Sequence, residues 1–266
     1  MASRYTATDA HAYEHLMGRW SGRLAKELIA FAGIETGDRV LDLGCGTGSM
    51  ALALAARPEP IRIVGIDIAE PYIAFASEQS TDARLTFLTG DAVALDLPVG
   101  GFDRCFSLLA LNFVSDPARA LTGMRRVTRS SGVVAAAVWD FAGGLVYQRI
   151  FWDTAAALDP EAELARARHF ASPLTGPREL VAAFNEVRLR DVKSASLTVR
   201  MEYAEFSDYW EPIANAQGPV GDYVKRLPPD RLEILAAAVR RAYLAGRPDG
   251  PRSMAATAWA ARGLVP

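Results

Sequence analysis

Cysteine and histidine are scarce in this 266-residue chain, with two and three copies. Cys45, Cys105, His11, His15 and His169 give no zinc-ligand spacing, so no metal is expected, and two cysteines do not make a disulfide framework. Basic residues show no excess: 29 Lys and Arg stand against 31 Asp and Glu, for a net charge of −2. That balance argues against a nucleic-acid-binding face, which calls for a basic domain. No apolar stretch reaches membrane-spanning length, and residues 1–5, Met-Ala-Ser-Arg-Tyr, lack the apolar core of a leader peptide. A cytoplasmic chain without membrane insertion is the expectation. No low-complexity tract interrupts it. Half of the residues are hydrophobic, enough to bury one large domain or two small ones.

The informative stretch is Val40 to Ala51. An apolar run, Val40 to Leu43, stops at glycines on alternate positions, Gly44, Gly46 and Gly48, and an Ala- and Leu-rich helical pattern follows. Strand, glycine turn and helix make a nucleotide-binding corner, in which glycines admit a ligand close to the backbone and the N–H groups of the helix start face it. A dinucleotide site reads G-x-G-x-x-G with an acidic residue about 20 positions on. Here the third glycine comes one residue early and Asp42 precedes the turn, which suits a ligand without a pyrophosphate. An NAD(P)-linked oxidoreductase is therefore the weaker alternative.

The run Asp42-Leu-Gly-Cys-Gly-Thr-Gly48 closely resembles motif I of the class I S-adenosylmethionine (SAM)-dependent methyltransferases. Within that class the chain is most similar to the type 11 group of small-molecule enzymes, which includes those of ubiquinone and menaquinone biosynthesis. The resemblance spans roughly residues 35–140. It implies a doubly wound α/β fold, a Rossmann-like sheet of seven mostly parallel strands whose last strand runs antiparallel. It also implies SAM as cofactor, S-adenosylhomocysteine (SAH) as product, and a small-molecule acceptor.

The resemblance carries cofactor contacts to Asp42, Gly44, Cys45, Gly46, Thr47 and Gly48. It gives the ribose to Asp67, at the end of a second strand from Ile61, with Ile68 beside it. It gives the adenine amino group to Asp91 with the Ala92 backbone. Leu108, near the end of a fourth strand from Phe102, lies beneath the methionine part. Arg19 is a candidate for the methionine carboxylate, since a guanidinium pairs with a carboxylate two-pronged. Taken singly, Asp67 and Asp91 also suit strand-end turns, and Cys45 reads as a small residue filling the turn.

Around this core (35–140) the pattern divides the chain further. Residues 1–34 hold a covering helix over 10–32, with Leu16, Trp20, Leu24, Leu28 and Phe31 on one stripe. Residues 141–170 and 204–247 form a helical lid, and 171–203 add a helix and one long strand or two broken ones. The final strand lies in 248–266. Continuous apolar strands such as Val133 to Trp139 indicate a sheet covered on both faces. Gly218-Pro-Val-Gly221 reads as a turn or hinge within the lid.

An activated methyl group needs alignment more than it needs a base. Weak catalytic candidates are His11, His15 and His169, each also readable as structural or exposed. Tyr13, Asn112, Trp139 and Trp210 are candidates for the acceptor pocket. The fourth strand ends in Leu108-Leu-Ala-Leu-Asn-Phe113 instead of the D/N-P-P-Y/F type sequence of amino-methylating DNA enzymes, so a small, partly apolar acceptor is expected. A non-catalytic SAM-binding protein holding a partner on its lid aromatics is a further alternative. Oligomeric state and acceptor identity stay open.

Overall fold

The computed structural model describes residues 9–171, 174–216 and 218–266; the stretch read for a leader, 1–5, lies outside them. Among the described residues seven strands form one sheet: β1 (Arg39–Leu43), β2 (Arg62–Asp67), β3 (Leu85–Thr89), β4 (Phe102–Leu108), β5 (Thr128–Trp139), β6 (Arg190–Tyr203) and β7 (Arg252–Leu264). Their order is β3-β2-β1-β4-β5-β7-β6, with β7 antiparallel to both neighbours and the other pairs parallel. This is the doubly wound seven-stranded sheet that the sequence predicts. The region read as one strand or two is one, with a register shift between Arg190 and Lys193.

Helices cover both faces. In chain order they are α1 (Ala10–Tyr13), α2 (Arg19–Ala32), α3 (Ser49–Ala55), α4 (Glu70–Glu78), α5 (Pro117–Val127) and α6 (Val146–Leu158). They continue with α7 (Pro160–Phe170), α8 (Pro177–Glu186), α9 (Phe206–Ala214), α10 (Pro219–Val224) and α11 (Pro229–Leu244). Two cores result because alternate residues of a strand face opposite ways. Val133, Ala135, Ala137 and Trp139 of β5 pack with α2 and α3, while Val134, Ala136 and Val138 pack with α5 and α8. Burying Leu24 and Leu28 of α2 in the first core contributes roughly 1.5–3 kcal/mol each.

Two local features depart from the sequence reading. The helix over 10–32 contains a π turn, Glu14–Gly18, between α1 and α2. Gly18 leaves room for the Glu14 carboxylate, which lies 2.1 Å from where a Cβ would be and would have to swing aside for a larger residue. That carboxylate turns inward and accepts a hydrogen bond from the Thr47 hydroxyl, tying the covering helix to the glycine turn. Gly218–Gly221 is not a turn: only Gly218 bends (φ +73°), and Pro219 to Gly221 are the first residues of α10. Proline's fixed φ and missing N–H suit a first helical position, which the turn reading overlooked.

Candidate active site

The strand order reverses between β1 and β4, and in open α/β sheets ligands bind outside the carboxyl ends at such a point. A cavity of about 440 Å³ opens there, within the size range of small-molecule sites. Its floor is the glycine turn and the end of β4, and α6, α7, α9 and α10 contribute its far wall.

Of the residues singled out from the sequence, Tyr13, Gly44, Gly46, Asp67, Ile68, Asp91, Ala92, Leu108, Trp139 and His169 line this cavity. Asp67 is fixed by two backbone donors: Gly46 N–H donates to Oδ2 and Ala69 N–H to Oδ1, each at 2.9 Å. Burial raises its pKa above the ordinary carboxylate value, against the pull of these N–H groups. Each oxygen keeps acceptor capacity toward the cavity. Asp91 Oδ1 accepts from Val93 N–H at 3.0 Å, which closes the loop after β3.

The turn works by shape more than by donors. Gly44 and Cys45 N–H groups donate to Ile66 O, Gly46 to Asp67, and Gly48 to Cys45 O. At the helix start, whose N–H groups are expected to face a ligand, that of Ala51 is instead taken by Asp42 Oδ2. What the turn offers is close approach. Gly44 has φ +72°, and a Cβ there would lie 2.3 Å from the Ala110 methyl. Leu109 next to it also has positive φ, +62°, an unusual conformation for leucine, on the cavity floor.

Of the other nine candidates, Asp42, Cys45 and Thr47 line a smaller space beneath the turn, and six lie elsewhere. Arg19, one residue past the π turn, pairs with Asp208 of α9 at 2.7 Å and lies over the rings of Trp20 and Tyr203. Its charge is engaged in joining the covering helix to α9 and does not line the cavity. His11 is exposed and edge-on to Phe75, and His15 is exposed on the π turn. Asn112 is buried in the turn after β4 and lines neither cavity of the corner. Trp210 stacks on Phe206 at 6.0 Å within the lid's aromatic cluster. Gly48 caps α3, and its missing Cβ makes room for Phe87 and Ala76.

The sequence profile of the methyltransferase domain matches residues 41–136. Among relatives, the chain is 33% identical to erythromycin 3''-O-methyltransferase of Saccharopolyspora erythraea over 150 residues, covering 50% of this chain and 48% of that protein. It is 36% identical to demethylmenaquinone methyltransferase of Thermus thermophilus over 122 residues, 42% and 54% of the two chains. The chain thus spans about half the length of the curated relatives it matches. Among solved structures, phosphoethanolamine N-methyltransferase 2 of Haemonchus contortus, in complex with SAM, superposes with a TM-score of 0.63 at 17% identity. That match covers 99% of this chain and 58% of the other. A Bacillus halodurans structure described as a putative methyltransferase gives 0.58 at 15%, covering 91% and 98%. At such identities the likeness establishes the fold.

Beneath the glycine turn lies a second, smaller space of about 20 Å³, lined by Asp42, Cys45 and Thr47 among others. Asp42 Oδ2 accepts from Ala51 N–H at 3.1 Å, while Oδ1 has no partner. Burial pushes its pKa up to about 8, with the nearby Asp67 charge adding to the rise and the Ala51 bond opposing it. The folded chain therefore favours protonated Asp42. This contribution to stability is full below the unfolded value near 3.8 and is lost as pH rises toward about 8. Asp42→Asn, which does not titrate, should gain thermal stability over the natural protein as pH rises from 5 to 8.5. The expected gain is roughly 8 °C, read by circular dichroism melts. A difference in melting temperature that is constant with pH would contradict this account.

The lid side of the cavity was missed from sequence. Tyr147, Gln148 and Phe151 of α6 reach it, with Ile213 and Val220 from α9 and α10. Gln148 Nε2 donates to the Tyr147 hydroxyl at 2.9 Å, and its Oε1 is 2.6 Å from His169 Nε2. Because an amide oxygen only accepts, Nε2 of His169 carries the proton. Burial lowers the His169 pKa to about 4, so the ring is neutral near pH 7. Helical spacing marks these residues only as buried, which is why the pattern did not separate them from lid core.

Proposed function

We propose that this chain is a SAM-dependent methyltransferase acting on an oxygen, nitrogen or carbon of a small organic acceptor. The observation carrying this reading is Asp67: a carboxylate anchored at the end of β2, facing the cavity above a turn that excludes side chains. The residues present fit the cofactor. Asp67 would hold the ribose hydroxyls, Asp91 and Ala92 the adenine, and Leu108 with the Gly44–Gly46 backbone the methionine end. When bound, SAM supplies a methyl group activated on sulfonium; the acceptor's lone pair forms the new bond to it, the carbon–sulfur pair stays on sulfur, and SAH leaves.

The chain's own part is alignment and dryness. Trp139, Phe141 and Phe151 surround the side facing the lid and keep water from the reacting centre. His169 is not offered as a strong base, because a ring whose conjugate acid has a pKa of about 4 holds a proton weakly. Among the described residues no helix is long and apolar enough to cross a membrane. Cys45 and Cys105 are buried and unpaired, in keeping with a cytoplasmic, reducing setting. The lid aromatics Phe206, Tyr209, Trp210 and Tyr243 contact one another, which favours an enzyme lid over a partner-holding surface.

Calorimetric titration tests the reading. SAM and SAH should each bind in 1:1 stoichiometry, with NADH giving no heat under the same conditions. Binding of NADH without SAM or SAH would turn the reading toward the oxidoreductase.

A further inference from the structure

The two ends of the cavity differ in charge. The acidic residues that line it, Asp67 and Asp91, are at the end assigned to the nucleoside. Among the described lining residues none is a lysine or arginine. The lid end is walled by Phe113, Trp139, Phe141 and Phe151, and its polar groups include the Tyr147–Gln148–His169 array. The array is neutral: a phenol, an amide, and an imidazole kept from charging by burial.

Resting on the methyltransferase reading, we propose that the lid end selects uncharged, ring-bearing acceptors and rejects anionic ones. Placing a carboxylate or phosphate against these walls removes its hydration and returns no cation from the protein, a cost of several kcal/mol per ion in protein interiors. A neutral ring meets the opposite conditions. The aromatic walls gain contact area and edge-to-face geometry with it. One hydroxyl or carbonyl on such a ring has the array to exchange hydrogen bonds with, and a site built of polar groups discriminates sharply when such a group is lacking. The half-buried Val220, on α10 at this end, is a place where the chain has an apolar residue and a cation would change the preference.

A matched pair of probes tests this: 2-naphthol and 6-hydroxy-2-naphthoate, which share the ring and the hydroxyl and differ by one carboxylate. Each is titrated by its own fluorescence against ligand-free protein and against protein saturated with SAH. The expected result is 2-naphthol binding at least tenfold tighter than 6-hydroxy-2-naphthoate. Val220→Arg should narrow that gap at least threefold. Equal or tighter binding of 6-hydroxy-2-naphthoate to the natural protein overturns the proposal, and so does failure of 2-naphthol to bind at millimolar concentration. SAH binding is measured separately by calorimetry. Its absence would overturn the methyltransferase reading, while the probe comparison on ligand-free protein would still decide the selectivity of the cavity.

Discussion

Asp67→Ala should lose at least about 100-fold in SAH affinity. A hydrogen bond to a charged group is worth roughly 1.5–3 kcal/mol, and a ribose offers two hydroxyls to this carboxylate. At 1.4 kcal/mol per tenfold, losing both predicts a fall of roughly 100-fold or more. The substitution also strips the acceptors from Gly46 N–H and Ala69 N–H, which Asp67 holds at 2.9 Å. Part of the loss is then a loosened glycine turn. Asp67→Asn should not rescue the site. The two N–H donors use separate oxygens of Asp67, and an asparagine has one oxygen and turns its NH2 toward the other donor. Calorimetry with SAH measures both variants, and an affinity within threefold of the natural protein would remove Asp67 from the site.

Gly44→Ala should be comparably damaging, through sterics. Alanine at φ +72° costs roughly 1–2 kcal/mol, and its methyl would sit 2.3 Å from that of Ala110, a distance no carbon pair tolerates. Relief requires the end of β1 or the Ala110 turn to move, and both form the cavity floor. SAH affinity should fall by about 100-fold and the melting temperature should drop. Ala110→Gly in the same chain removes the colliding methyl and should restore most of the melting temperature, leaving the backbone penalty of position 44. Absence of any rescue by Ala110→Gly would mean that the contact at Ala110 is not what demands glycine.

The sheet and the placement of Asp67 and Asp91 at the cavity were legible because both are written locally. Strand runs such as Val133 to Trp139 are buried on both faces, so their apolar continuity signals a covered sheet directly. Asp67 and Asp91 sit at strand ends a short distance after the glycine turn, and their spacing along the chain carries their placement. Arg19 shows the limit. Its residue type suits a carboxylate, but one extra residue in the π turn at 14–18 and a partner 189 positions away on α9 decide where it points. Neither is visible in helical periodicity. Tyr147 and Gln148 were missed for the same reason: Gln148 meets His169, which the sequence did single out, across 21 residues, through packing of α6 on α7. Trp210 erred in the other direction, since an aromatic on a lid helix reads alike whether it meets a substrate or another ring.

The most direct measurement is a crystal structure of the protein with SAH. The account predicts the ribose hydroxyls within hydrogen-bonding distance of both Asp67 oxygens, the adenine beside Asp91 and Ala92, and the sulfur facing the space bounded by Trp139, Phe141 and Phe151. SAH bound with its ribose away from Asp67, or with its sulfur facing away from the lid end, would contradict it.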